Sequence, residues 1–308
     1  MRAAYLTEVT GSDGLTLGEI SEPRPATGEL MVKVRAAAVT PTELKWFPTF
    51  KRRDGQPRPF PVVPGHEFSG VVTAMGTGVS DFKIGAPVFG LNDWFTNGAL
   101  AEYCVVSAAG VAARPTSVDD TRMAVVPISA LTAWQGLFDR CRLAAGERVL
   151  IHGAAGAVGV FAVQLARWRG AHVVATASTA NVDFVRELGT DEVIDYKRQR
   201  FEEIARDIDV LFDGVGGETL ERSWSVLKGG GRAVTIASEE EGARDARAQK
   251  AFFIVEAKGA QLAEIARMIE AGTIRPFVEA VFPLEKTREA FKRAAAGGMR
   301  GKIAVMVS

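Results

Sequence analysis

The run Leu150-Ile-His-Gly-Ala-Ala-Gly-Ala-Val-Gly159 sets a strand directly against a glycine-rich turn. Residues 148–151 form a short apolar run that reads as a buried strand. The glycines that follow, Gly153, Gly156 and Gly159, fall three apart. Residues 160–169 are good helix formers. They close on Arg167 and Arg169 with Gly170 just beyond, which suits the C-terminal end of a helix dipole. A second strand follows at 171–178. A glycine turn at the mouth of a helix lets backbone N–H groups approach a pyrophosphate closely. Three glycines alone could equally make a tight loop with no ligand. The strand before, the helix after and the second strand give the context of a dinucleotide-binding unit.

Composition bounds the rest. A chain of 308 residues implies about two domains. Lys+Arg and Asp+Glu are equal at 37 each, so no basic excess points to nucleic acid or an anionic membrane. The first nine residues carry no apolar signal core. The longest apolar stretch, 149–166, is broken by glycines and His152, which fits a strand-turn-helix and not a membrane span. Cys104 and Cys141 show no metal-ligand spacing and read as reduced thiols of a cytoplasmic protein.

The first hundred residues read as β-rich, with strands at 30–39 and 70–74 between turn signals at 11–14 and 23–25. From about Thr121 the pattern alternates. Strands are expected at 149–152, 172–177, 192–196, 209–212 and 232–237, with helices at 158–168, 182–188, 201–207 and 219–227. Such alternation gives an α/β fold with a doubly wound parallel sheet. An amphipathic helix is expected at 261–271, and 276–308 is expected to return to mixed β and helix and pack on the N-terminal domain. The run 239–241 reads as a solvated loop.

A dinucleotide fold that prefers NAD places Asp or Glu at the end of its second strand, on the ribose 2′-OH. Here that strand ends Ala175-Thr-Ala-Ser-Thr-Ala-Asn181, and the first acid is Asp183 in the next helix. Hydroxyl and amide side chains accept a 2′-phosphate that an acid would repel. The expected cofactor is therefore NADPH, with Ser178 and Asn181 as contacts. The same residues could also cap the helix that follows.

Several motifs together resemble a known family: Gly65-His-Glu-Phe-Ser-Gly70, Leu131-Thr-Ala-Trp-Gln135, the 153–159 turn, Gly189-Thr-Asp-Glu-Val-Ile-Asp-Tyr196, Asp213-Gly-Val-Gly-Gly217 and Arg300-Gly-Lys-Ile-Ala304. They resemble the medium-chain dehydrogenase/reductase superfamily, and within it the zinc-free NADPH-dependent quinone oxidoreductase branch. The resemblance implies a GroES-like β-rich catalytic domain, 1–118 completed by 272–308, and a Rossmann NADP-binding domain, 119–271. Zinc members take ligands from a Cys, the His of Gly-His-Glu and a further Cys or acid. Thr40, in Ala38-Val-Thr-Pro-Thr-Glu43, stands in the place of the first Cys, and a hydroxyl is a poor zinc ligand beside a thiolate. Two cysteines cannot form the four-Cys structural lobe. His66 and Glu67 are then expected to hold a strand-turn by hydrogen bonds. His152 is expected to pack at its strand end and His172 to lie at the surface or edge.

The resemblance further implies the cofactor contacts. Gly153, Ala154, Gly156, Ala157, Val158 and Gly159 wrap the pyrophosphate, and Tyr196 packs near the 2′-phosphate. Val215, Gly216 and Gly217 pass the ribose, while Ile236, Ala237 and Ser238 with Phe252, Phe253 and Ile254 line the nicotinamide. A β-prone stretch at 251–255 implies edge-to-edge pairing in a homodimer. Without zinc there is no Lewis acid to polarise an alcohol, so hydride must go to an electron-poor acceptor, a quinone or an α,β-unsaturated carbonyl. Thr40 and Lys45 are the expected catalytic donors, with Glu43 orienting Lys45. Trp46, Phe47, Phe50, Trp94 and Phe95 could wall a flat substrate or simply pack a core. Two other readings stay open: a zinc alcohol dehydrogenase using His66 and Glu67, and a non-catalytic NADPH-binding protein.

Overall fold

The computed structural model describes residues 1–237 and 244–308. The chain divides into two compact units, Met1–Ile128 with Ala257–Gly272 and Pro276–Ser308, and Ser129–Glu256 with Thr273–Arg275.

In the first unit, β1 (Arg2–Tyr5) and β2 (Thr16–Glu19) form an antiparallel pair. The main sheet is built on β3 (Glu29–Ala38), whose alternate residues Leu30, Val32, Val34 and Ala36 are fully buried, as a strand with one face on a core demands. β4 (Glu67–Met75), β5 (Pro87–Leu91) and β7 (Val111–Ala113) follow it in order, and β6 (Tyr103–Ser107) also pairs with β3.

The second unit holds five parallel strands, β8 (Arg148–His152), β9 (His172–Ala177), β10 (Glu192–Asp195), β11 (Ile208–Asp213) and β12 (Leu227–Thr235). Their order is β10-β9-β8-β11-β12, so the chain reverses its direction of winding at β8. This is the doubly wound arrangement, and ligands of such sheets bind outside the carboxyl ends of the strands at the reversal. β8 and β11 are buried along nearly their whole length, which is why their centres, residues 149–151 and 210–212, read as apolar runs.

β13 (Val278–Pro283) and β14 (Lys302–Met306) return the chain to the first unit, where β14 pairs antiparallel with β3. The C-terminal stretch thus packs where its pattern indicated. Both edges of the expected middle domain move, however. Residues 119–128 belong to the first unit, where Ser69 Oγ donates to Asp120 Oδ1 at 2.6 Å. The helix Gly259–Glu270 belongs there too, because a Cβ at its Gly259 would stand 2.4 Å from Val111 O of β7. Amphipathicity announced that this helix has a buried face but not which core it covers.

The stretch 251–255 is not a strand. Helix Ala246–Ala251 runs into it, a single bridge joins Phe252 to Thr235, and Phe253 and Val255 are buried. Phe253 and Val255, two of the apolar residues that suggested pairing between two copies, are thus taken up by packing within the chain. The run 239–241 and Ser238 lie outside the described residues. Among the described residues no helix is long and apolar enough to cross a membrane.

Candidate functional site

β8 delivers His152 into the turn at Gly153, which takes φ +75°, a conformation that favours glycine. The turn closes by Gly156 N–H donating to Gly153 O at 3.0 Å, and helix Gly159–Trp168 follows. A Cβ on Gly159 would stand 2.2 Å from Gly153 O and 2.7 Å from Ala154 Cα. The third glycine is therefore required for helix and strand to meet. The backbone N–H groups of Ala157, Val158 and Gly159 have no backbone acceptor among the described residues. Together with the helix dipole they form a cradle that fits a pyrophosphate.

Beside this turn lies a cavity of about 300 Å³, at the carboxyl ends of four strands. His152 and Gly153 end β8, Thr176 is on β9, Tyr196 follows β10 and Val215 follows β11; Arg222 completes this wall. His152 is buried between two hydroxyls. Its Nε2 donates to Ser223 Oγ at 2.9 Å, because the Ser223 hydroxyl itself donates to Thr219 O. Its Nδ1 therefore accepts from Thr176 Oγ1 at 2.9 Å. Burial, reinforced by the Arg222 charge, lowers its pKa to about 3, so the ring is neutral and structural.

Asp213, at the end of β11, is fully buried. Its carboxylate accepts from Val215 N–H at 3.1 Å, Gly216 N–H at 3.0 Å and Thr235 Oγ1 at 2.7 Å. This fixes the Gly214–Gly217 backbone beside the cavity, a role for Asp213 that sequence reasoning does not assign. The available signal was an acid directly after the apolar run 210–212 and directly before Gly214.

The remaining expected contacts divide. Tyr196 is half-exposed, with Lys197 Nζ 5.3 Å from its ring centre. Ser178 is partly exposed immediately after β9, while Asn181 is buried and its side chain makes no helix-capping bond. The acid opposite Ala177 in the register is Asp195, which accepts from Thr179 Oγ1 at 2.7 Å and Lys197 N–H at 3.0 Å. Ile236 N–H donates to Asp213 O, and Ala237 N–H to Thr235 Oγ1. Phe253 is buried under the Arg140 guanidinium, 4.7 Å from the ring centre.

In the first unit, Thr40 and Lys45 flank the 3₁₀ turn Pro41–Lys45. The Thr40 hydroxyl is buried with no hydrogen-bond partner among the described residues, a state that costs on the order of 1–3 kcal/mol. Lys45 is exposed. Glu43 does not orient it. The Glu43 carboxyl group is fully buried, accepts from Gly65 N–H at 2.8 Å and from His66 N–H at 3.2 Å, and meets His66 Nδ1. His66 Nε2 faces Thr96 O at 3.1 Å. Trp94 lies against the His66 ring at 5.2 Å, and Trp46 meets Trp94 edge-on at 5.0 Å.

Glu67, next in the chain, is also fully buried. It pairs with Lys302 Nζ and accepts from Ile128 N–H at 2.9 Å. Burial raises its pKa against the lowering effect of Lys302. His66 and Glu67 thus hold the turn by hydrogen bonds and an ion pair, as their isolation in the sequence implied. Cys104 and Cys141 are buried free thiols, each pushed up to about 12 by burial. His172 lies half-exposed at the start of β9, with Nε2 2.8 Å from Glu192 Oε1.

Comparison with known proteins agrees with this architecture. Residues 26–116 match the alcohol dehydrogenase GroES-like domain family, and residues 188–305 the zinc-binding dehydrogenase family. The chain is 34% identical to the human NAD(P)H oxidoreductase RTN4IP1, mitochondrial, over 91% of this chain and 82% of that protein. The chain belongs to the medium-chain dehydrogenase/reductase superfamily. It is also 32% identical to the NADPH-dependent alkenal/one oxidoreductase, chloroplastic, of Arabidopsis thaliana, over 99% of this chain and 79% of that protein. The structure of the quinone oxidoreductase from Coxiella burnetii superposes with a TM-score of 0.92 at 26% identity, covering 100% of this chain and 99% of that one. As a member of this superfamily the chain is an NAD(P)H-dependent oxidoreductase of small molecules.

The superfamily includes zinc enzymes, so the donor set bears directly on metal. It fits zinc poorly: both His66 ring nitrogens are engaged, Glu67 is committed to Lys302, and Thr40 offers a hydroxyl in place of a thiolate. A dinucleotide, by contrast, fits the 153–159 cradle.

Proposed function

We propose that this protein is an NADPH-dependent reductase that transfers hydride, without a metal, to a quinone or an α,β-unsaturated carbonyl. The observation that carries the reading is the replacement of a metal-ligand set by the closed His66–Glu43 pair beside the unpartnered Thr40 hydroxyl. With no Lewis acid at that place, the acceptor must already be electron-poor. The names of the plant and bacterial relatives, an alkenal/one oxidoreductase and a quinone oxidoreductase, agree with such acceptors.

Bound NADPH supplies a hydride from C4 of its nicotinamide. The turn at 153–159 holds the pyrophosphate through backbone N–H groups, and Asp213 sets the Val215–Gly216 backbone against the ribose. Ser178 and Tyr196 receive the 2′-phosphate, since no acid of β9 opposes it. Thr40 and Lys45 are the donors for the acceptor's oxygen. Hydrogen bonds there stabilise the enolate or phenolate as negative charge develops, and a proton delivered at carbon or oxygen completes the two-electron reduction.

The test is NADPH consumption by chelator-treated protein with a panel of quinones and enones, run beside NADH. Zinc-independent turnover, faster with NADPH, is expected. Ser178→Asp should then weaken NADPH binding roughly tenfold, about 1.4 kcal/mol, and leave NADH nearly unaffected. Equal losses for both would remove Ser178 from the 2′-phosphate site.

A further inference from the structure

The second unit holds another cavity, away from the glycine turn. It has a volume of about 610 Å³, about twice that of the cavity beside His152, and the two share no lining residue. That size is ordinary for a small-molecule site. β12 lines it between Leu227 and Val234. β12 is the last strand of its sheet, and among the described residues a single bridge, Thr235 to Phe252, meets its outer edge. Arg232 stands level with Val210 of β11 and, beyond it, Val149 of β8. The cavity therefore reaches towards the amino ends of the strands, whereas the turn at Gly153 leaves their carboxyl ends.

Five cations line this cavity, Arg140, Lys228, Arg232, Arg247 and Lys250, and among the described residues no acid does. Three of them answer acids outside the lining. Lys228 Nζ pairs with Asp209, Arg232 Nη2 with Glu147 Oε1 at 2.6 Å and Arg247 Nη2 with Asp245 Oδ2 at 2.8 Å. Arg140 and Lys250 are exposed and have no ion pair among the described residues. Two further donors on the lining residues, Arg232 Nε and Trp224 Nε1, are buried and meet no acceptor among the described residues. Buried donors are nearly always satisfied, so two orphans on one lining are uncommon. Like charges around a concave surface repel one another and concentrate their field on the space between them, which an anion relieves.

The strand itself leaves room for one. β12 opens Leu227-Lys-Gly-Gly-Gly-Arg232, a composition that weakens a strand. Gly230 lines the cavity at φ +79°, and a Cβ built on it would meet nothing within 4 Å. The strand edge is bare there, as it is where a ligand approaches backbone closely. Arginine forks match phosphate oxygens in pairs, and lysine adds a point charge. The two unpaired cations sit on different elements, Arg140 at the end of the segment Gln135–Arg140 and Lys250 on the helix Ala246–Ala251. Two linked anionic groups suit that arrangement better than one.

We infer that this cavity binds a small molecule carrying a diphosphate group, at a site separate from the cofactor turn. Neither the acceptor nor the preference for NADPH enters into the assignment.

The test is isothermal titration of the full-length protein with inorganic pyrophosphate, in the presence of saturating NADPH so that the 153–159 turn is filled. If the protein takes only NADH, NADH fills the turn in the same titration. One pyrophosphate per chain is expected to bind, more tightly than inorganic phosphate and more weakly as sodium chloride is raised. Lys250→Glu should weaken it at least about tenfold, because a like charge then faces the ligand, while NADPH Kd stays constant. Arg140→Gln should act in the same direction. Both positions are exposed, and if one variant fails to fold the other carries the test. ADP distinguishes the sources of the group: tighter binding than pyrophosphate assigns a nucleotide, and equal binding the diphosphate by itself. Absence of pyrophosphate binding, or its displacement by NADPH, overturns the inference. Unchanged pyrophosphate affinity in folded Lys250→Glu and Arg140→Gln overturns it too, since the anion then sits elsewhere.

Discussion

Two turns in this chain each carry a buried histidine at a strand end, and they are built by opposite means. At 152–159 the working groups are backbone N–H groups, set by glycines a few residues apart. His152 sits between two hydroxyls and is neutral, with its pKa lowered to about 3. At 65–67 the working groups are side chains. His66 faces a carboxylate from the 3₁₀ turn before it, and Glu67 faces a lysine from the last strand. The difference separates what a turn does through local geometry from what it does through distant partners. The first kind can be damaged at a single backbone position; the second depends on elements that meet only in the folded chain.

The sharpest way to break this comparison is Lys302→Met. It leaves Glu67 buried without its counter-charge and should cost about 3–5 kcal/mol in urea unfolding. Adding Glu67→Gln should restore most of that loss, since the cost is that of an unpaired buried charge. NADPH affinity of the folded fraction should be unchanged. If cofactor affinity falls instead and stability holds, the two turns are not independent.

Gly159→Ala addresses the other turn. The new Cβ would press on Gly153 O, and NADPH affinity should drop at least about a hundredfold, or about 2.7 kcal/mol. Gly156→Ala is the control: its Cβ would stand 3.3 Å from Gly153 O, and the loss should be within about tenfold. Similar losses for both would show that general glycine content, and not the close approach at 159, makes the cradle. Isothermal titration with NADPH reads both.

The histidines can also be compared by pH. The unfolded chain takes up a proton at His152 below its ordinary value of 6.5, while the folded protein does not until about pH 3. Stability contributed by the neutral ring is therefore full above pH 6.5 and falls as pH drops from 6.5 towards 3, by about 1.4 kcal/mol per unit. Urea midpoints at pH 7.5 and 5.5 should show this slope, and His152→Gln should flatten it. A slope that survives the substitution would assign it to other groups.

The smallest effect is expected at Lys45, which is exposed. Lys45→Met should lower turnover severalfold through loss of one donor to the acceptor oxygen, with NADPH affinity and stability unaltered. Full turnover would leave Thr40 as the donor on that side.

Most of the second unit was legible because its signals are local. Apolar runs of four to six residues, glycines at turns and amphipathic periods of 3.6 name strands and helices without reference to anything distant. Expected strands at 172–177 and 209–212 lie within a residue at either end of those observed. β12, by contrast, begins at Leu227, five residues before its expected start, through Lys228 and three glycines that no strand pattern marks. The helix at 259–270 was legible as a helix, but its partner sheet was not, because amphipathicity specifies a face and not what covers it.

By itself the sequence determined the glycine turn between β8 and its helix, the parallel strand order's building blocks and the absence of an acid at the end of β9. Each depends on residue types within a few positions of one another, where backbone geometry admits few alternatives. Tertiary structure alone decided that Glu43 serves His66 and not Lys45, that Lys302 answers Glu67, and that Phe253 and Val255 are buried outside any strand. Those outcomes depend on which side chains are desolvated together. A buried charge or ring nitrogen takes whichever partner the fold brings within hydrogen-bond reach, and sequence separation carries no record of that distance.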